Sequence, residues 1–140
     1  MKLIKKLTAV FLPILIIVLC FSVTAYAATS TQKTGTTAGG SYGTASVTYK
    51  INGTDNWWPV HDCVYAYTKC DKALQTSVSA KIYGSTGNEE GSDSSSKITT
   101  SRVEVYVYAD DANATSASST HTVTSGDYGN FTGSLSCTYN

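Results

Sequence analysis

Residues 74–82 read LQTSVSAKI. Every second residue from Leu74 to Ile82 suits a buried face, and the residues between them are glutamine, serine and lysine. A period of two residues is the pattern of a β-strand with one apolar and one solvated face. This segment is the clearest strand signal in the chain, and it sets the fold class.

The same alternation recurs on both sides of this segment. Further strands are predicted at residues 45–51, 60–70, 97–109, 121–124 and 130–139. Clusters of turn-forming residues separate them, and no segment after residue 40 has the apolar spacing of a helix. Six to eight short strands with one dry face each predict an all-β fold, and we expect a small antiparallel β-sandwich.

Within residues 97–109 the alternation slips. The valines from Val103 to Val107 share one face, whereas Ile98 is out of phase with them. An extra residue in one strand of a pair shifts the phase in this way. We therefore predict a bulge or bend near Thr100.

The first 27 residues have the layout of a secretory signal peptide. Three lysines precede an almost purely apolar stretch from Leu7 to Val23, and residues 25–27, Ala-Tyr-Ala, suit cleavage before Ala28. Pro13 interrupts the apolar stretch, so a retained membrane anchor is the weaker interpretation. We predict a secreted, extracellular protein with no membrane insertion after cleavage.

The rest of the chain divides at about residue 40. Residues 28–40, ATSTQKTGTTAGG, offer almost no apolar side chain to bury, so we expect a flexible leader there. Residues 41–140 carry the strand patterns and are the expected β-sandwich domain. The predicted organisation is thus a cleaved signal peptide at residues 1–27, a leader and one domain.

The composition excludes several classes of partner. Leucine, which helices favour, is nearly absent after the signal peptide, whereas strands favour valine, threonine, tyrosine and isoleucine, so the composition indicates an all-β protein. The chain has 10 Lys and Arg against 10 Asp and Glu, and removal of the signal-peptide lysines leaves a net charge of about −3. The remaining cations are scattered singly along the sequence, so neither nucleic acid nor an anionic membrane is an expected partner.

Three cysteines remain after cleavage, Cys63, Cys70 and Cys137. An exported chain retains disulfides, but an odd number leaves one thiol over. In one unbroken strand Cys63 and Cys70 would point to opposite faces about 23 Å apart, which is too far for a disulfide. We expect Cys137 to pair with Cys70 or with Cys63. The alternative is three buried thiols that pack without a bond.

Neither catalysis nor metal binding is predicted from the titratable residues. His61, Asp62 and Cys63 are adjacent, but on a strand Asp62 points away from the other two, and catalytic groups normally converge from separate elements. His61 and His121 have no close-spaced ligand partner, so we expect them partly exposed on strands. The segment from Asp111 resembles a calcium loop only at its start. We expect no enzyme activity, no cofactor and no metal.

Aromatic residues supply the candidate binding site. Trp57 and Trp58 are adjacent, so on a strand one indole faces the core and the other faces solvent. Tyr106 and Tyr108 are two residues apart on the polar face of a valine-rich strand. A patch formed by these four residues suits a sugar ring or a protein partner. The alternative is that they shield the sheet as cross-strand pairs.

These observations favour a secreted, non-enzymatic binding module that recognises an extracellular glycan or protein. The chain combines an export signal, a small β-domain rich in Gly, Ser, Thr and Tyr, and an aromatic-containing final strand, here residues 131–139. In this layout it also resembles the lactococcin 972-type bacteriocins. The resemblance implies antibacterial activity as an alternative function, and it assigns a role to no residue.

Overall fold

Antiparallel β-strands build the described part of the chain. The computed structural model describes residues 28–56, 61–110 and 114–139. The predicted signal peptide, residues 1–27, lies outside these residues. Six strands occur within the described ranges: β1 Ser30–Thr36, β2 Ser46–Thr54, β3 Cys63–Gly84, β4 Glu89–Tyr108, β5 Ala114–Thr124 and β6 Phe131–Thr138. The all-β, antiparallel prediction is confirmed.

Strands β3 and β4 form one long hairpin. They have 22 and 20 residues, and they pair from Cys63 opposite Tyr108 to Tyr83 opposite Glu89. The sequence pattern instead predicts two shorter strands, 60–70 and 74–82, in place of β3. In place of β4 it predicts a loop over residues 84–96 followed by a strand over residues 97–109. The serine-rich segment 91–96 pairs with β3 although it has no apolar side to bury, because backbone hydrogen bonds alone place it on the edge of the sheet.

The hairpin bends near its middle. The register of β3 against β4 shifts between Lys69 and Thr76, and on the opposite strand Thr99 has a φ of 57°. This irregularity confirms the bulge predicted near Thr100. It also explains why Ile98 is out of phase with the valines that follow, since Ile98 is 80% exposed.

The remaining strands add to one edge of the bent hairpin. β2 pairs with the first half of β3 and β5 with its second half, whereas among the described strands β4 pairs with β3 alone. β1 and β6 extend the sheet beyond β2 and β5. Because β3 bends, the β1–β2 and β5–β6 pairs face each other across the core.

The sheet nearly closes where β1 meets β6. The Thr29 amide donates to the Thr138 carbonyl at 3.0 Å, and the Thr138 amide donates to Thr29 Oγ1 at 2.9 Å. At the other end of the two strands the Phe131 ring lies against Gly35, where a Cβ atom would come within 2.6 Å of it. The architecture is therefore a nearly closed, barrel-like sheet.

The apolar core lies inside the curled sheet. Val78, Ala80 and Ile82 of the segment LQTSVSAKI are each at most 1% exposed, as its alternation predicts. The largest other fully buried apolar side chains are Val47, Ile51, Val64, Val103 and Val123. Burial of this aliphatic set is the main stabilising contribution to the fold.

The flexible leader predicted at residues 28–40 is wrong for most of its length. Residues 30–36 form β1 and pair with β2 in continuous register, from Ser30 opposite Asn52 to Thr36 opposite Ser46. The prediction considered only apolar side chains. This strand is held mainly by backbone hydrogen bonds to the free edge of β2, which its sequence does not reveal.

Candidate binding surface

Four tyrosines share the outer face of the β3–β4 hairpin. Val64 and Ala66 of β3 point into the core, so Tyr65 and Tyr67 between and beyond them point outward. The valines of β4 place Tyr106 and Tyr108 outward in the same way. Tyr65 lies directly opposite Tyr106 in the strand register. We call Tyr65, Tyr67, Tyr106 and Tyr108 the tyrosine patch.

Within the tyrosine patch the Tyr65 ring contacts the rings of Tyr67 and Tyr106. The Tyr65 and Tyr106 ring centroids are 4.6 Å apart with planes tilted by 31°, and those of Tyr65 and Tyr67 are 5.9 Å apart. Tyr106 and Tyr108 are 54% and 61% exposed. The inner two rings therefore support a surface whose outer two rings remain open to solvent.

Arg102 and Glu104 brace the patch on its polar side. The Arg102 guanidinium lies 4.4 Å from the centroid of the Tyr67 ring, a cation–π contact. Arg102 Nε and the Tyr65 hydroxyl both donate to Glu104 Oε2, at 3.1 and 2.8 Å. The Tyr67 hydroxyl donates to Gln32 Oε1 at 3.0 Å. These contacts restrict the rotamers of the two inner tyrosines.

The surroundings of the Tyr65 hydroxyl favour its protonated form. Partial burial raises the pKa of Tyr65, and its hydrogen bond to Glu104 adds to this effect, although Arg102 opposes it. Arg102 also contacts the Tyr65 hydroxyl, which raises the pKa of the guanidinium. At neutral pH Tyr65 therefore presents a neutral phenol beside the permanent cation of Arg102.

Sequence reasoning found only part of this surface. It placed Tyr106 and Tyr108 on the polar face of their strand, where the structure has them. Trp57 and Trp58, the other half of the predicted patch, lie outside the described residues. The sequence does not predict the contributions of Tyr65 and Tyr67, because no single segment reveals that their strand pairs with β4. The available signal was a Tyr-x-Tyr pattern on the outer face of both strands.

The predicted disulfide is wrong, because Cys63, Cys70 and Cys137 are all free thiols. Cys63 is half-buried on the outer side of the sheet, and the other two are buried inside it. Cys70 lies opposite Val47, whereas Cys137 Sγ packs against Gly53. Six residues of β2 separate those positions, about 20 Å, so the two buried thiols are at opposite ends of the core.

We expect the three thiols to differ sharply in reactivity. Burial raises the pKa of Cys70, and it raises the pKa of Cys137 to about 11. At pH 8 only about one Cys137 in a thousand would be a thiolate, and the thiolate is the reactive form. Pulse alkylation with iodoacetamide followed by peptide mapping should label Cys63 first. The buried pair should be labelled only in urea, and equal native rates at Cys63 and Cys137 would contradict this burial.

The predicted titratable residues do not converge. His61 is exposed, whereas Asp62 is 2% exposed and its carboxylate accepts from the Asn56 and Ala114 amides at 2.8 and 3.0 Å. His121 is fully buried, contrary to the partial exposure expected. Thr68 and Ser119 satisfy its two ring nitrogens, which explains how β5 accommodates an imidazole in the core. Within the described ranges no group of three His, Cys, Asp or Glu side chains is placed to hold a metal ion.

A shallow groove of about 450 Å³ lies along the β1–β6 seam. Its lining residues are Thr31, Lys33, Ser118, Ser134, Leu135 and Ser136. Lys33 is the one titratable side chain in that lining. The groove therefore lacks a pair of groups for acid–base chemistry.

Neither a protein-family model, nor a curated protein sequence, nor a solved structure matches this chain. In the part of the chain that the structure describes, no helix is long and apolar enough to cross a membrane.

Proposed function

We propose that this protein is a secreted, non-enzymatic binding module of the cell surface or extracellular matrix, and that its ligand docks on the tyrosine patch. The observation that carries this proposal is the pair of open rings, Tyr106 and Tyr108, beside two braced ones. We also propose that residues 1–27 act as the export signal and that the domain is a two-sheet, sandwich-like fold.

Preorganisation makes this surface suitable for binding. Tyrosine offers a large amphipathic contact area at low conformational cost, since it has only two side-chain torsions. Stacking on Tyr65 already restricts Tyr106, so less rotamer entropy remains to be lost on association. The hydroxyls and the neighbouring Arg102 add directional hydrogen bonds at the rim of the apolar rings.

Tyr106→Ala is expected to weaken binding at least tenfold, because it removes a central open ring of the patch. The measurement is binding of the secreted protein to intact producer cells and to their extracellular matrix. Tyr42→Ala is the matched control, since Tyr42 is 71% exposed and is not part of the patch. Unfolding in urea should change by no more than about 1.5 kcal/mol, the scale of one lost aromatic pair.

Equal loss of binding in both variants, or unchanged binding in Tyr106→Ala, would contradict the proposed site. Growth inhibition of related bacteria by the wild-type sample would instead favour the bacteriocin-like alternative.

A further inference from the structure

The charges beside the tyrosine patch indicate the class of ligand, an inference that rests on the proposed function. Lys50, Lys69 and Arg102 are far apart in the sequence, on β2, β3 and β4. Strand pairing brings them together on the outer face. Lys69 lies directly opposite Arg102, and Lys50 lies directly opposite Tyr67.

This arrangement is unfavourable without a ligand. Like charges directly opposite each other on neighbouring strands destabilise a sheet. Lys69 also has Lys50 as a diagonal neighbour, because Lys69 pairs with Thr48, two residues from Lys50. The described residues contain no ion pair of Lys50 or Lys69.

Nearby acids neutralise only Arg102 among the three cations, through its ion pair with Glu104. Glu104 is the one acid on the paired outer positions of β1, β2 and the bent hairpin's first half, and Arg102 and Tyr65 already engage it. Asp71, the next acid along β3, accepts from the Ser46 amide. The face is therefore cationic, although the chain from residue 28 onward carries more acids than bases.

We propose that the tyrosine patch binds an anionic polysaccharide. Its sugar rings would stack on Tyr106 and Tyr108, and its carboxylate, sulfate or phosphate groups would meet Lys50, Lys69 and Arg102. Tyr108 pairs with Cys63, six residues along β3 from Lys69, so the surface is about 20 Å long. That length suits a chain of several sugars better than a single sugar.

Other polymers fit this surface less well. Lysine is depleted at the cores of protein interfaces, which are built around apolar side chains. This face has two exposed or half-exposed lysines and no exposed aliphatic side chain at its paired outer positions. The bases of nucleic acids also stack on aromatic rings, but proteins that bind nucleic acids usually have a net positive charge and contact many phosphates.

The test uses soluble polysaccharides in charge-matched pairs. Polygalacturonate is compared with its methyl ester, and carboxymethyl cellulose with hydroxyethyl cellulose, by affinity electrophoresis of the full chain as secreted. At least one anionic member should bind tenfold or more tightly than its neutral partner, and salt should weaken that binding. Lys69→Gln should reduce it at least fivefold, and Lys69→Arg should restore it. Lys97→Gln is the control, since Lys97 is exposed on the far half of β4.

The outcomes separate the two proposals. Equal binding of neutral and anionic members, lost in Tyr106→Ala, would overturn the anionic ligand and leave the binding patch intact. Binding to none of the polysaccharides, or to a single-stranded oligonucleotide instead, would overturn the ligand class. Weakening by Lys69→Gln but not by Tyr106→Ala would overturn the role of the tyrosine patch itself.

Discussion

Replacing Asp62 with alanine is expected to lower the free energy of unfolding by about 3 to 5 kcal/mol. The Asp62 carboxylate is buried and accepts two backbone hydrogen bonds, from the Asn56 amide at 2.8 Å and from the Ala114 amide at 3.0 Å. Hydrogen bonds to charged groups contribute about 1.5–3 kcal/mol each, and alanine would leave both amides without their acceptor. Total stabilities of about 5–15 kcal/mol are usual, so this single change approaches the limit for folding.

Asp62 has this effect because it joins distant parts of the chain. It lies just before β3, while its two partners lie after β2 and at the start of β5. Its own carbonyl also accepts from the Ala109 amide at 2.9 Å, just after β4. One residue thereby connects the ends of four strands at one end of the barrel-like sheet.

Equilibrium unfolding in urea measures the change. Asp62→Asn keeps one acceptor oxygen and should lose roughly half as much stability, because its amide group would face a backbone donor. Asp110→Ala is the control, since Asp110 is exposed at the same end of the sheet and its substitution should stay within about 0.5 kcal/mol. If Asp62→Ala lowers the free energy of unfolding by less than about 1 kcal/mol, solvent replaces the carboxylate as the hydrogen-bond acceptor of the two amides, which would contradict this prediction.

Acidification is expected to destabilise the protein by about 3 kcal/mol between pH 7 and pH 4 through His121 alone. Burial lowers the pKa of His121 from its ordinary value of 6.5 to about 4, although a backbone hydrogen bond at Tyr67 opposes this effect. The unfolded chain takes up a proton below pH 6.5, whereas the folded chain does so only near pH 4. The contribution of the neutral His121 to folding stability is therefore fully present above pH 6.5 and is lost as the pH falls toward 4.

The packing around His121 explains why the neutral imidazole is retained. Thr68 Oγ1 lies 2.9 Å from Nδ1 and Ser119 Oγ lies 2.7 Å from Nε2, so both nitrogens have a partner in the core. The Tyr49 ring covers the imidazole at a centroid distance of 5.2 Å. Hydroxyls satisfy a neutral ring, but no carboxylate is among these contacts to compensate for a buried positive charge.

The two histidines provide a matched comparison. Urea unfolding measured at intervals from pH 7 to pH 4 should show that His121→Gln lowers stability at neutral pH and flattens the pH dependence by about 3 kcal/mol. His61→Gln should leave both unchanged, because His61 is exposed. A wild-type pH dependence that survives in His121→Gln would assign the acid sensitivity to the carboxylates.

The sequence alone determined the all-β, antiparallel class and the direction of most strand side chains. The alternation in LQTSVSAKI and in the valines of β4 gave the buried faces correctly, because burial on one face of a strand imposes a period of two. It also located the irregularity near Thr100, since a bulge shifts that period. These are local consequences of the backbone, and they need no knowledge of which strands become neighbours.

Only the tertiary structure decided which residues distant in the sequence become neighbours through strand pairing. Residues 30–36 lack apolar side chains and form β1 because the edge of β2 offers hydrogen bonds. Cys70 and Cys137 do not meet because they face opposite ends of one core. The same pairing joins Tyr65 to Tyr106 and Lys69 to Arg102. Residues that are tens of positions apart become neighbours through strand register, and no single segment of sequence contains that register.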